Sequence, residues 1–199
     1  MIKVFSTIFL LAAVIYVGYS FWPEAEVTQP PGVMASEEPF QKNISDGRGW
    51  VKDEYLITAI AEFKLRARVL SKENYHWDDE SGISPTDLAL GWGRMSDQSV
   101  VEQLDIWQSG RWYYWKTDNF PIPKSGIETY SANMHIIPAN ESVENILDEV
   151  VKGNIIELEG YLVKVSGPGG WKWASSMSRT DRGSGACEVV YVEKIKIIM

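Results

Sequence analysis

From Ala61 to Val69 the chain alternates without a break. Ala61, Phe63, Leu65, Ala67 and Val69 are apolar, and the intervening Glu62, Lys64, Arg66 and Arg68 are charged. A repeat of two puts these sets on opposite sides of an extended chain, which predicts a half-buried strand. Val143, Ile146, Leu147, Val150 and Val151 instead recur at helical spacing behind Asn140-Glu141-Ser142. That pattern predicts an amphipathic helix, with Gly153 where a C′ glycine belongs.

Shorter patterns fill the intervals. Ser84-Pro85-Thr86-Asp87 reads as a helix start running into Leu88-Ala89-Leu90 and stopped by Gly91 and Gly93. Ser96 is placed to cap a second short helix over Val100, Val101 and Leu104. Trp107 and the run Arg111 to Trp115 predict an aromatic hairpin around Ser109-Gly110. Ile155 to Val165 is rich in β-branched residues, with Gly160 as a candidate bulge, and Gly167-Pro168-Gly169-Gly170 is a turn. Trp171 to Met177 and Glu188 to Ile198 complete a three-strand meander. This order predicts an α+β fold built on an antiparallel sheet. A glycine-broken strand in a late meander resembles the pattern of small oligonucleotide/oligosaccharide-binding (OB) barrels.

The N-terminal pattern has no period at all. Val4 to Trp22 is nineteen residues without a charge, after Met1-Ile2-Lys3. A helix of that length spans roughly 28 Å, close to the hydrocarbon thickness of a bilayer. Tyr16, Tyr19, Phe21 and Trp22 cluster at its far end, where amphipathic rings favour the interface, and Pro23 ends it. Residues 1–22 are therefore expected to be a single-pass anchor, or alternatively a cleavable signal peptide with Gly18 and Ser20 at the cleavage site. Either way the remainder is expected outside the cytoplasm, in the periplasm or beyond the inner membrane, because Lys3 marks the cytoplasmic side. Residues 23–50, with Gln29-Pro30-Pro31-Gly32 and Ser45-Asp46-Gly47-Arg48-Gly49, have the composition of a flexible linker. Residues 51–199 are then the globular domain.

Charge narrows the partners. Beyond residue 22 the chain carries 27 acids against 18 bases, a net −9. Such a domain is repelled by phosphate backbones, so nucleic acid is disfavoured. The single cysteine, Cys187, forms no internal disulfide and is expected to be a buried small hydrophobe or to pair between chains. Two histidines and one cysteine fall short of a zinc set, and the acids Asp78, Asp79, Glu80 and Asp87 match no standard calcium loop. No metal and no cofactor is expected.

Two polar stretches interrupt otherwise structural sequence: Ser131-Ala132-Asn133-Met134-His135, and Ser175 to Glu188. Ser175, Ser176 or Ser178 with His135 and Asp181 could form a hydrolytic Ser/His/Asp arrangement, although no Gly-x-Ser-x-Gly elbow is present. Arg179 and Arg182 among glycines could form an anion loop, and Arg111 beside four aromatic residues could stack on a ring or sugar face. The candidate ligand-binding set is Arg111, Asn133, His135, Ser175, Ser176, Ser178, Arg179 and Asp181.

Gly91-Trp92-Gly93 with Met95-Ser96-Asp97, the run from Ser131 to Asn140, and the run from Ser175 to Glu188 occur in that order. Together they resemble an uncharacterised family of small bacterial proteins with an N-terminal membrane anchor, over roughly residues 60–195. The resemblance implies an envelope address and no activity. Two expectations follow: an anchored extracytoplasmic module that binds an envelope protein or small ligand, or an envelope hydrolase using the Ser/His/Asp set.

Overall fold

The computed structural model of the chain describes residues 26–178 and 187–199. The segment expected to be an anchor, Arg179 and Asp181 lie outside the described residues. Among the described residues, no helix is long and apolar enough to cross a membrane.

The alternating segment is the middle of a much longer strand, β3 (Tyr55–Asn74), and the fold turns on it. Its N-terminal part pairs with β8 (Ile155–Ser166) and its C-terminal part with β4 (Thr86–Gly91), both antiparallel. Arg68 is the pivot, opposite Ile155 on one side and Gly91 on the other. Register shifts at Ala59/Ala61 and Val69/Ser71 bend β3, as bulges do, so one strand can serve two neighbours. Beyond β4 lies β7 (Ser131–Pro138), then β10 (Glu188–Ile197), which returns to β8. The pairings thus run β3–β4–β7–β10–β8–β3 and close on themselves. All are antiparallel except β7 with β10, which run parallel. The fold is α+β, mostly antiparallel sheet with few helices.

Inside the ring, Phe63, Leu65, Ala67 and Val69 of β3 meet Leu88, Leu90, Met134, Ile136, Leu158, Leu162, Val190 and Val192. These are the apolar positions of the sequence alternation, and their burial supplies the main hydrophobic driving force. One end is covered by α3 (Glu141–Glu149), whose Val143 and Leu147 point into the same core. Asn140 caps this helix, its side chain accepting from Val143 N, as the sequence predicts. Its C-terminus is closed differently: Lys72 Nζ donates to Leu147 O and Val150 O. Gly153 lies beyond the helix with φ +91°, where a Cβ would fall 1.8 Å from Val27 O. It is there for close approach of another segment rather than as a C′ residue.

The outer face carries two further clusters. Leu70, Ala89, Met95, Val100 and Ile127 pack under α1 (Gln98–Val101), α2 (Lys124–Thr129) and the hairpin β5 (Asp105–Ser109)–β6 (Trp112–Lys116). Ile57, Ile137, Val163 and Val189 pack under Trp50, Trp171 and Trp173.

Three expectations change. Thr86–Gly91 is strand, not helix: all six residues are buried, because β4 runs between β3 and β7 with both faces covered. A short apolar run buried on both sides has no period to reveal its type. The last three strands are not a meander. Among the described residues β9 (Lys172–Ala174) pairs only with β8, and β10 inserts between β7 and β8. Gly160 permits close packing, since a Cβ would lie 2.0 Å from Tyr191 O, and the register shift falls on β10 at Val192/Lys194.

Residues 26–50, part of the segment with a linker's composition, lie along the ring. Val27 N donates to Lys152 O, Gly32 N to Asp97 Oδ1, and Met34 N and Ala35 N to Ser96 Oγ. The Gly32 amide, with Ser99, holds the Asp97 carboxyl below the usual carboxylate range. β1 (Phe40–Asn43) and β2 (Gly49–Lys52) then pair with β3. Backbone amides bonded to the side chains of Ser96, Asp97 and Gln98 hold this segment, and hydropathy does not register such bonds. Cys187, just before β10, is partly exposed rather than buried.

Candidate functional site

Outward-facing positions of β7 fall at Ser131, Asn133 and His135, two residues apart. In β4 the matching outward position is Asp87, directly opposite His135 in the register. The β5–β6 hairpin lies over this row. Its connection is Gly110-Arg111, with φ +57° and +70°, the positive pair that a two-residue hairpin turn requires. Arginine at the second position is unusual, and a non-glycine residue there costs about 1 kcal/mol or more.

That conformation aims Arg111 back at the ring. Its guanidinium forms a two-pronged contact with Asp78, Nε to Oδ2 at 2.8 Å and Nη2 to Oδ1 at 2.7 Å. Nη1 donates to Asp87 Oδ1 and to Ser84 O, each at 2.9 Å. The group lies over the Tyr75 ring, 4.0 Å from its centroid, and the Arg111 amide donates to the Tyr75 hydroxyl. Burial alone pulls the Arg111 guanidinium down, but the bonds and charges of Asp78 and Asp87 outweigh it and the net shift is upward. Burial likewise pushes the Tyr75 hydroxyl up. Asp87 is 0% exposed, so losing this partner would leave a buried carboxylate unpaired.

Each remaining residue of the row is also engaged by the hairpin or its surroundings. Gln108 Nε2 donates to Asn133 Oδ1 at 2.7 Å, and Asn133 Nδ2 donates to Arg111 O. The Ser131 hydroxyl gives its proton to Ile127 O, so at 2.9 Å the Tyr113 hydroxyl must be the donor to Ser131 Oγ. Burial raises Tyr113 to about 12, which keeps that donor protonated. His135 Nδ1 lies 2.9 Å from Asp87 Oδ1 without forming a hydrogen bond among the described residues, and its ring packs 4.8 Å from that of Trp173. Ser84 Oγ, Asp87 Oδ2 and Gln108 Oε1 are buried there without a hydrogen-bond partner among the described residues.

Of the sequence candidates, Arg111, Asn133 and His135 therefore converge. Ser175, Ser176 and Ser178 lie after β9, where Ser175 Oγ donates to Ser176 O and Ser176 Oγ donates to Ser178 O. The carboxylate placed against His135 is that of Asp87. By sequence Asp78 and Asp87 were calcium candidates, Asp87 also the end of an expected helix start, and their shared cation is Arg111. Among the described residues, no group of three or more metal-ligating side chains converges. Gln108, Tyr75 and Tyr113 could be missed by any motif search, because they act through a hairpin that folds back over the sheet. A cleft of about 620 Å³ lies elsewhere, along Lys64, Arg66, Glu157 and Glu159. Those charges are exposed and paired with one another across β3 and β8.

No protein-family model, no curated protein and no solved structure matches this chain. The site must be read from its own chemistry.

Acid should loosen it. The Arg111 bond holds the Asp78 carboxyl below the usual carboxylate range, and Asp97 shifts the same way through its own bonds. A depressed carboxyl contributes stability that is present above its unfolded pKa and lost as pH falls through the folded one. Thermal midpoints should accordingly hold near neutrality and fall below about pH 4, with Asp78→Asn flattening part of that fall. Melts recorded across this range check it. An unchanged acid limb in Asp78→Asn would remove Asp78 from the account.

Proposed function

We propose that the chain is a membrane-anchored, extracytoplasmic binding or assembly module built on an OB-like barrel. The ring of pairings supports the barrel reading: five strands, the third and fifth parallel, with a helix between the third and fourth. In barrels of that type the outer face of the second and third strands, with the first loop, is a common ligand face. Here those strands are β4 and β7, and that loop carries Tyr75, Asp78 and Ser84. This is an analogy of fold and names no ligand.

One observation carries binding over catalysis. The charges of the polar centre are bonded to one another, and the bonds fasten a hairpin onto the barrel. Arg111 uses both edges of its guanidinium on two carboxylates and a carbonyl, which suits a clasp better than an attacking group. A serine hydrolase needs a hydroxyl within hydrogen-bond reach of its histidine. The hydroxyls of Ser175 and Ser176 instead donate to backbone carbonyls.

The test joins address and activity. Full-length protein should fractionate with the inner membrane, and protease added from the outer side should reach residues 26–199. A panel of ester, amide and phosphoester substrates should show no turnover that His135→Ala removes. Recovery in the soluble cytosolic fraction would sink the anchor, and His135-dependent turnover would sink the binding reading in favour of the hydrolase.

A further inference from the structure

The inward side of the β5–β6 hairpin belongs to the fold: Ile106, Gln108, Tyr113 and Trp115 face the barrel. Its outward side is covered by nothing among the described residues. Register places Asp105 opposite Lys116, Trp107 opposite Tyr114, and Ser109 opposite Trp112 on that side. Trp107, Tyr114 and Trp112 are 41%, 42% and 36% exposed. The Trp107 and Tyr114 rings stack, with centroids 5.5 Å apart and planes within 16°. Three such rings show roughly 250 Å² of apolar surface, approaching the size at which an exposed patch on a monomer is often functional.

Carboxylates flank these rings. Toward the open end of the hairpin, a cleft of about 390 Å³ is lined by Glu102, Gln103, Asp105, Lys116 and Asp118. Three carboxylates face one ammonium there, and among the described residues none of the three forms an ion pair. At the turn end, the bond from Arg111 to Asp78 fixes the loop that carries Trp77, 97% exposed, and Asp79.

We propose that this face docks a basic, extended segment of a partner protein, with Lys or Arg side chains over Trp107 and Tyr114 and in the Glu102–Asp105–Asp118 cleft. It rests on the reading of the chain as a binding module and gives that module a partner. An aromatic face is negative at its centre and attracts a cation, and uncompensated carboxylates add to the attraction. The net charge of −8 steers cationic chains toward the protein over a longer range. A second copy of this chain would bring like charge to the face. A neutral glycan could stack on the rings but would gain nothing from the carboxylates.

Fluorescence anisotropy of a labelled Lys- and Arg-rich peptide, titrated with full-length protein in neutral detergent, tests this. The expected result is saturable binding that weakens as salt is added, and that falls roughly ten-fold in Trp107→Ala and several-fold in Asp105→Asn. Both side chains point outward, and an unchanged thermal midpoint verifies that each variant is folded. Absence of binding, binding indifferent to both substitutions, or binding of a neutral oligosaccharide in place of the peptide would each overturn the proposal. The fractionation and turnover results above are independent of this outcome, so the docking face can fail while the anchored module stands.

Discussion

Arg111→Met should destabilise the protein by about 3–5 kcal/mol, the usual cost of leaving one member of a buried ion pair without its partner. For a domain of this size that is a fall in thermal midpoint of roughly 10 °C. The reason is Asp87, which is fully buried and takes its hydrogen bond from Arg111 Nη1. Asp78 is more exposed and can return to water at little cost. Arg111→Gly should lose about 1 kcal/mol less than Arg111→Met, because glycine accepts the +70° φ without strain. Replacing both partners, Arg111→Met with Asp87→Leu, should cost clearly less than the sum of the two single changes. Denaturant titration of the wild type and the four variants gives all these numbers. A single Arg111→Met costing under about 1 kcal/mol would mean that the clasp holds nothing.

The second large effect is expected at Gly160. An added Cβ would stand 2.0 Å from Tyr191 O, a backbone atom that cannot rotate away. Gly160→Ala should therefore separate β8 from β10 locally and cost about 3 kcal/mol or more, the upper range for overpacking. Gly169→Ala is the natural comparison. Its Cβ would meet open space, so only the positive φ of 64° is penalised, at about 1 kcal/mol. If the two variants unfold at the same denaturant concentration, the close approach of β8 and β10 is not limiting.

How much of this was legible in the sequence depended on whether a residue's neighbours lay nearby in the chain. The alternation of β3 was readable because one face meets the core and the other meets water. The α3 helix was readable for the same reason at a different period, and the aromatic hairpin through Ser109-Gly110, although its turn is Gly110-Arg111. β4 was not, because burial on both faces erases the polar half of the pattern. The order of the last strands was not either: adjacent sequence suggests adjacent strands, yet β10 pairs with β7, about fifty residues earlier. The site divides in the same way. Arg111, Asn133 and His135 stood out by type, and all three meet. Asp87, the residue that joins Arg111 to His135, was one acid among several until the register of β4 on β7 put it opposite His135.

The insertion of β10 between β7 and β8 has a kinetic consequence. Two strands made earlier must hold open edges until the last one arrives between them, so the ring cannot close piecemeal behind a growing chain. Refolding should be slow for the chain's length, on the order of milliseconds to seconds. During that interval the exposed edges of β7 and β8 are where another chain could pair by mistake. A chaperone acting on this protein would find its work there.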